Sequence, residues 1–240
     1  MIPSLKISVV YLGVSLMHFP ATARAEGFGA LAIVSSNYSY RGYSKSANHP
    51  TARANLDYGH TSGFFVGSWI SWVDFADNGY PDRSNVEFYP YVGFNYKLAD
   101  HWRVETSVAR YLYDGRIDGK FSDYNEYSAA LHYSDLASVR FDFANDAYNR
   151  GAGATNVEIT GRYPIFAHWS VSAGLGYNDA TPVLEYTTLY WNLGLTWFFK
   201  YGALDLRYAD AAYLADSNKG LTLELPELRQ NFIFSLSVGF

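Results

Sequence analysis

Basic side chains at Arg41, Arg53, Arg103, Arg140, Arg162 and Arg207, and acidic ones at Asp57, Glu87, Glu105, Glu126, Asp142, Glu158 and Asp205, alternate with apolar residues along aromatic-rich segments of this sequence. The two sets nearly balance. Charges gathered on one face cannot sit in a dry core without partners. Two chemistries fit them: a salt-bridge network bracing an enclosed polar interior, or the lining of a passage that selects ions and small polar solutes. Within the second, Arg41, Glu87, Arg103, Glu105, Glu126 and Arg140 are expected to gate.

Other chemistry is hard to find. With no Cys there is neither a disulfide framework nor a thiolate metal site. No G-x-S-x-G elbow, H-E-x-x-H pair or phosphate-cradling Gly-rich loop occurs. His49, His60, His101, His132 and His168 lack ligand spacing. Asp74, Asp77, Asp82, Asp114, Asp118 and Asp123 read as solvated loop charge rather than a calcium site. A net charge of −5 gives no reason to expect nucleic acid. The expectation is a protein that is no enzyme and carries no cofactor and no metal.

The elements that must position these charges are strands. From Gly27 onward, segments of about ten residues alternate with period two and are filled with Tyr, Val, Phe, Trp and Thr, as strands prefer. They fall at 29–41, 51–59, 63–74, 85–97, 101–113, 124–133, 136–145, 154–164, 168–178, 186–200, 202–211 and 230–240. Every second connection is tight, as at Ser134-Asp135 or Tyr201; the others are longer and polar, as at 42–50, 75–84 and 212–229. This pattern predicts an all-β, twelve-stranded, antiparallel, up-and-down transmembrane barrel, with short periplasmic turns, long external loops and both termini periplasmic.

Period alone does not say which face meets lipid. Aromatic residue types favour an apolar face turned outward, with rings forming interfacial belts: Tyr38, Tyr40, Trp72, Tyr96, Trp102, Tyr133, Phe143, Tyr163, Trp169, Tyr177, Trp197, Phe199, Tyr208 and Phe232. The charged faces then line the lumen. In the final strand Phe232, Phe234, Leu236, Val238 and Phe240 share one face. A terminal Phe closing an alternating strand resembles the insertion signal of bacterial outer-membrane proteins. It implies the barrel-assembly machinery and periplasmic chaperones as partners during biogenesis, and outer-membrane lipid afterwards. Two features strain the pattern. Pro90 lies mid-strand, where a bulge is expected, and Arg110 and Asp210 fall on apolar faces, near external strand ends where they can snorkel.

At the start of the chain, Lys6, an apolar stretch from Ile7 to Phe19 and Ala23-Arg24-Ala25 form the pattern of a secretory signal peptide. Residues 1–25 are expected to be cleaved and 26–240 to form the barrel of a Gram-negative outer-membrane protein.

Three stretches carry a family resemblance. Ser36-Asn-Tyr-Ser-Tyr-Arg-Gly-Tyr-Ser-Lys-Ser46 resembles the "S-D-Y-x-F-R-G-x-S-x-S" signature of the TorF-family porins, with Asn37 where the pattern has Asp. Gly63-Phe-Phe-Val-Gly-Ser-Trp-Ile-Ser71 resembles that family's "G-F-Y-x-G-x-W-x-S" strand. Val86-Glu87 to Gly93 and Tyr124-Asn-Glu-Tyr127 resemble its glutamate-plus-aromatic strands. The resemblance implies an exported outer-membrane barrel. The leading functional expectation is a channel for passive diffusion of ions or small polar solutes. A non-conducting barrel, acting as structural, adhesive or receptor element through its external loops (chiefly 212–229), is the alternative, and a lipid-acting barrel enzyme a third.

Overall fold

The structure, a computed structural model, describes residues 26–76, 79–184, 186–215, 223–229 and 231–239. The expected signal peptide, Asp77 and Phe240 lie outside the described residues. Twelve long strands form the wall: β1 (Gly27–Ser35), β4 (Thr51–Gly59), β5 (Phe64–Trp72), β6 (Val86–Lys97), β7 (Trp102–Tyr113), β8 (Tyr124–Tyr133), β9 (Ala137–Ala144), β10 (Ala154–Phe166), β11 (Trp169–Asp179), β12 (Tyr186–Phe199), β13 (Gly202–Ala215) and β14 (Phe232–Gly239). Each pairs antiparallel with its sequence neighbours in the wall, and β1 closes on β14 through Leu31↔Gly239 to Ser35↔Ser235. A closed sheet leaves no edge with unpaired backbone groups, the condition for crossing hydrocarbon with strands. No helix among the described residues is long and apolar enough to cross a membrane.

The alternation read from sequence has the inverted sense. Large apolar residues point outward and are exposed, such as Leu193 at 62% and Phe234 at 61%, whereas Glu87 on the inside is 0% exposed. The strands therefore bury their polar face. In a water-soluble sandwich the same period would hide the other one. Inside, close packing uses glycine as a seat for a ring. The Tyr190 ring lies over Gly176 of the neighbouring strand, where a Cβ would overlap it.

The first strand departs from expectation. It ends at Ser35 rather than at residue 41, with the backbone link from Ser36 N to Phe234 O (2.9 Å) marking the rim. The chain then dives into the lumen as a small hairpin, β2 (Ser39–Tyr40) and β3 (Tyr43–Ser44). Its two-residue turn is Arg41 (φ +49°) and Gly42 (φ +87°). Positive φ at both central residues is the mirror-image turn that matches strand twist. A Cβ on Gly42 would come within 2.9 Å of Ala211 Cβ, so side-chain space is lacking there as well.

This hairpin overturns the outward placement of Tyr38 and Tyr40, both buried in the lumen. The other belt residues face outward, with Tyr208 half-buried. Over the hairpin the external segments close down. Pro226 O accepts from Ser44 N at 2.8 Å, and Ile117, Val183, Leu184, Leu223 and Leu225 are buried in the same apolar cluster.

Pro90 also behaves differently from expectation. The β6–β7 register is unchanged on either side of it, Phe88↔Leu112 and Tyr91↔Ala109, so no residue is inserted there. The ladder toward β7 simply skips Tyr89 and Pro90, while Pro90 still aligns with Ser68 of β5. The described shift in register lies in β10, between Pro164 and Phe166 near the short turn to β11. Arg110 remains on the outer wall and donates to Asn125 Oδ1 at 3.3 Å, and Asp210 accepts from the Tyr208 hydroxyl at 2.9 Å.

Asp114, read from sequence as loop charge, ties the external ends of β6 and β7. Its Oδ1 accepts from Ser84 Oγ, Asn85 N and Val86 N, each at 2.9 Å. Partial burial works against its charge, but the Val86 and Asn85 amides and the Ser84 hydroxyl outweigh it and hold the carboxyl below its usual range. A depressed folded pKa contributes stability above the unfolded value of about 3.9 that is lost as pH falls through the lower folded value. Protection of the Asn85 and Val86 amides against hydrogen exchange should therefore drop as pH is lowered below about 4. Asp114→Asn should start from the lower protection and show no such drop.

Candidate functional site in the barrel lumen

The lumen has two halves. At the end of the barrel that carries the short turns a cavity of ≈740 Å³ opens, lined on the inner wall by Asp57, Phe65, Tyr91, Asn95, Arg103 and Glu105. Above it lies a belt of buried charges. Glu105 takes Arg140 at 3.1 Å and faces His132 at 3.7 Å. Arg140 also lies 3.6 Å from Asp142. Asp142 in turn takes Arg41 at 3.0 Å, and Arg41 bridges to Glu126 at 2.7 Å. The guanidinium fork is suited to holding two carboxylates at once. Strands β7, β8 and β9 supply these wall residues, and the hairpin supplies Arg41.

External to the belt the interior is aromatic. Tyr89, Tyr111 and Tyr124, on adjacent strands, stack with centroid separations of 4.9 and 4.6 Å. Glu87, beside them, accepts from Lys45 at 2.5 Å, Tyr113 at 2.8 Å and Tyr38 at 3.1 Å. Lys45 Nζ lies over the ring faces of Tyr40, Tyr111 and Tyr38 at 3.9, 4.8 and 5.7 Å. At the far side of the lumen the hairpin tip meets β12 and β13. Thr188 donates to Arg41 O at 2.8 Å and Tyr213 donates to Gly42 O. The hairpin thus spans the lumen from the β6 wall to the β12–β13 wall.

The charges singled out from sequence fall into four groups. Arg41, Glu87, Glu105, Glu126, Arg140 and Asp142 converge as described. Asp57 and Arg103 line the cavity below them, and Arg53 lies on the β4 wall with its guanidinium over Tyr38 and Trp69 at 4.4 and 5.5 Å. Asp205 and Arg207 stand apart. They pair with each other at 3.2 Å, and Arg207 reaches Asn192 at 2.5 Å and Ser172 at 3.0 Å, which is a brace across β11, β12 and β13. Glu158 is buried on the inner face of β10, in register with Arg140, and Arg162 is half-buried farther along the same strand. Of the terminal-strand residues, Phe232, Phe234 and Leu236 are exposed on the outer wall and Val238 is partly covered.

Two sets of site residues escaped the sequence reading. The inner tyrosines were legible in principle, since Tyr89 shares parity with Glu87, Tyr111 with Glu105, and Tyr124 with Glu126. Lys45 carried no signal, because it lies in a connection outside any period.

Comparison with known proteins then places the chain. Residues 22–227 match the model of Gcw_chp, described as a bacterial protein of unknown function. The chain belongs to this family. No curated protein matches it in sequence. Among solved structures it is similar to the KdgM porin, with TM-score 0.54 and 10% identity over 88% of this chain and 98% of that one. The NanC porin aligns at 0.52 and 12% identity, covering 89% and 99%. The COG4313 outer membrane channel from Pseudomonas putida F1 aligns at 0.50 and 11%, covering 92% and 98%. At such identities the likeness is one of fold: this member of the Gcw_chp family has the closed barrel of outer-membrane porins.

Proposed function

We propose that this chain is an outer-membrane channel for passive diffusion of ions or small polar solutes, held closed in its resting form by the hairpin of residues 36–46. The observation that carries the reading is the meeting of a cavity at the short-turn end of the barrel with a belt of buried acidic and basic side chains. The cavity ends on Arg103 and Glu105, and from Glu105 the charges continue through Arg140, Asp142, Arg41 and Glu126. Such a chain of fixed charges suits selection of small ions. Asp57, Glu87, Arg53, Glu158 and Arg162 extend the polar lining; Asp205 and Arg207 act as a brace. Neither catalysis nor a cofactor is part of this reading. Residues 1–25 serve as the export signal and the β14 face with Phe240 as the insertion signal. The stretches resembling the TorF-family porins support the same assignment, and a KdgM porin of this fold has been solved in complex with disordered oligogalacturonate.

The packing of the hairpin beneath the external loops favours a second reading, a barrel that does not conduct and acts through its outer surface. Single-channel recording in planar bilayers separates the two. Rare, small openings whose ion selectivity shifts on Arg103→Gln or Glu105→Gln are the expected result. A barrel that is folded by its heat-modifiable gel mobility, yet silent under every voltage applied and also silent with the hairpin removed, would establish the second.

A further inference from the structure

Two cations of the hairpin sit in places built by the wall. Glu87 and Glu126 take their ion pairs from Lys45 and Arg41, two side chains that arrive from elsewhere in the chain. Lys45 is 0% exposed, and its ammonium is enclosed by ring faces as well as by the carboxylate. The Tyr111 hydroxyl, buried on the wall beside it, makes no hydrogen bond. Arg41 lies over the Tyr40 ring at 4.7 Å, so both cations combine a carboxylate with an aromatic face.

If the hairpin is taken out, the wall keeps Glu87, Glu126 and Asp142 beside the Tyr89–Tyr111–Tyr124 stack. Arg140 remains, engaged with Glu105 and Asp142, and Arg53 remains over Trp69. The balance at Glu87 and Glu126 is then anionic. Ring faces attract a weakly hydrated organic cation, whereas a hard metal ion needs six or more oxygen ligands that tyrosine faces do not supply. We propose that the external half of the lumen is a binding and transit site for protonated amines and guanidines, for which Lys45 and Arg41 are the built-in occupants while the channel is shut. This rests on the channel reading above and names its solute class.

The test uses the full barrel with residues 37–46 replaced by a Gly/Ser segment of equal length. Propylammonium and guanidinium are the probes. In a KCl gradient the reversal potential should show preference for cations, and either probe should block the potassium current. Adding Glu87→Gln and Glu126→Gln should weaken the block about tenfold or more, as expected for charge-assisted hydrogen bonds. Conduction without cation preference, or a block indifferent to the two glutamates, overturns the amine site and leaves the channel standing. Should the variant stay silent, titration calorimetry with propylammonium in detergent decides independently. Heat that disappears in the double glutamine form keeps the site while the channel reading fails, and its absence removes both. Should the variant not fold, Lys45→Ala in the intact chain leaves a space matching propylammonium. That amine should raise the variant's melting temperature where sodium at equal concentration does not, and equal effects of the two ions overturn the proposal.

Discussion

Arg41→Ala is expected to lower the stability of the barrel by about 3–5 kcal/mol, the usual loss when one partner of a buried ionic cluster is removed. The guanidinium is almost wholly buried and joins Glu126 at 2.7 Å to Asp142 at 3.0 Å. Its loss strands two carboxylates inside the wall, where Arg140, 3.6 Å from Asp142, offsets the charge only in part. Arg41→Lys keeps one charge but forfeits the fork, so an intermediate loss should follow. Urea unfolding of the protein in detergent micelles, followed by tryptophan fluorescence, measures both. A loss below about 1 kcal/mol, typical of exposed pairs, would mean that the hairpin is held by its packing and that the ionic bridge is incidental.

The second large effect lies on the opposite face. Leu193 is near the middle of β12 and points away from the lumen, 62% exposed. Leu193→Arg should cost about 2–4 kcal/mol in a lipid bilayer, the penalty for a cation on the lipid face at the midplane. Folding into vesicles of defined lipid, titrated with denaturant, reads this directly. The sign is what matters. On a surface facing water the same change would fall within about ±0.5 kcal/mol, so a near-neutral result would place that face in water and undo the membrane orientation altogether.

The strands themselves were plainly written. Segments 51–59 and 124–133 carry the same limits in sequence and structure; the end of the first strand moves by six residues, and the other boundaries by no more than four. Alternation with period two, interrupted by turn residues, is a local property and survives folding. What alternation does not contain is direction. Tyr38 and Tyr40 continue the period of β1 without a break, so a strand running to residue 41 was the natural reading. The chain turns inward because Arg41 and Lys45 find carboxylates on β6, β8 and β9, far away in sequence. The positive φ at Gly42 was legible, whereas the place to which the turn points was not. Similarly, aromatic type suggested the lipid belts, and the rule works for Trp72, Tyr96 or Tyr163 on the outside. It fails for Tyr89, Tyr111 and Tyr124, whose parity with glutamates was the better guide. Pro90 illustrates the converse: a missing donor is absorbed by an interrupted ladder, with no extra residue needed.

The hairpin belongs to the first connection of the chain, yet its partners come late. Arg41 and Glu126 are 85 positions apart, the Thr188 contact with Arg41 spans 147, and that of Tyr213 with Gly42 spans 171. Its docking slot does not exist until nearly every stave of the wall has been synthesised and curled round. An early-made segment must therefore wait, its two cations in water, and can seat only in a ring that has closed with the correct number of staves in the correct register. A miscounted or slipped ring would offer it no socket.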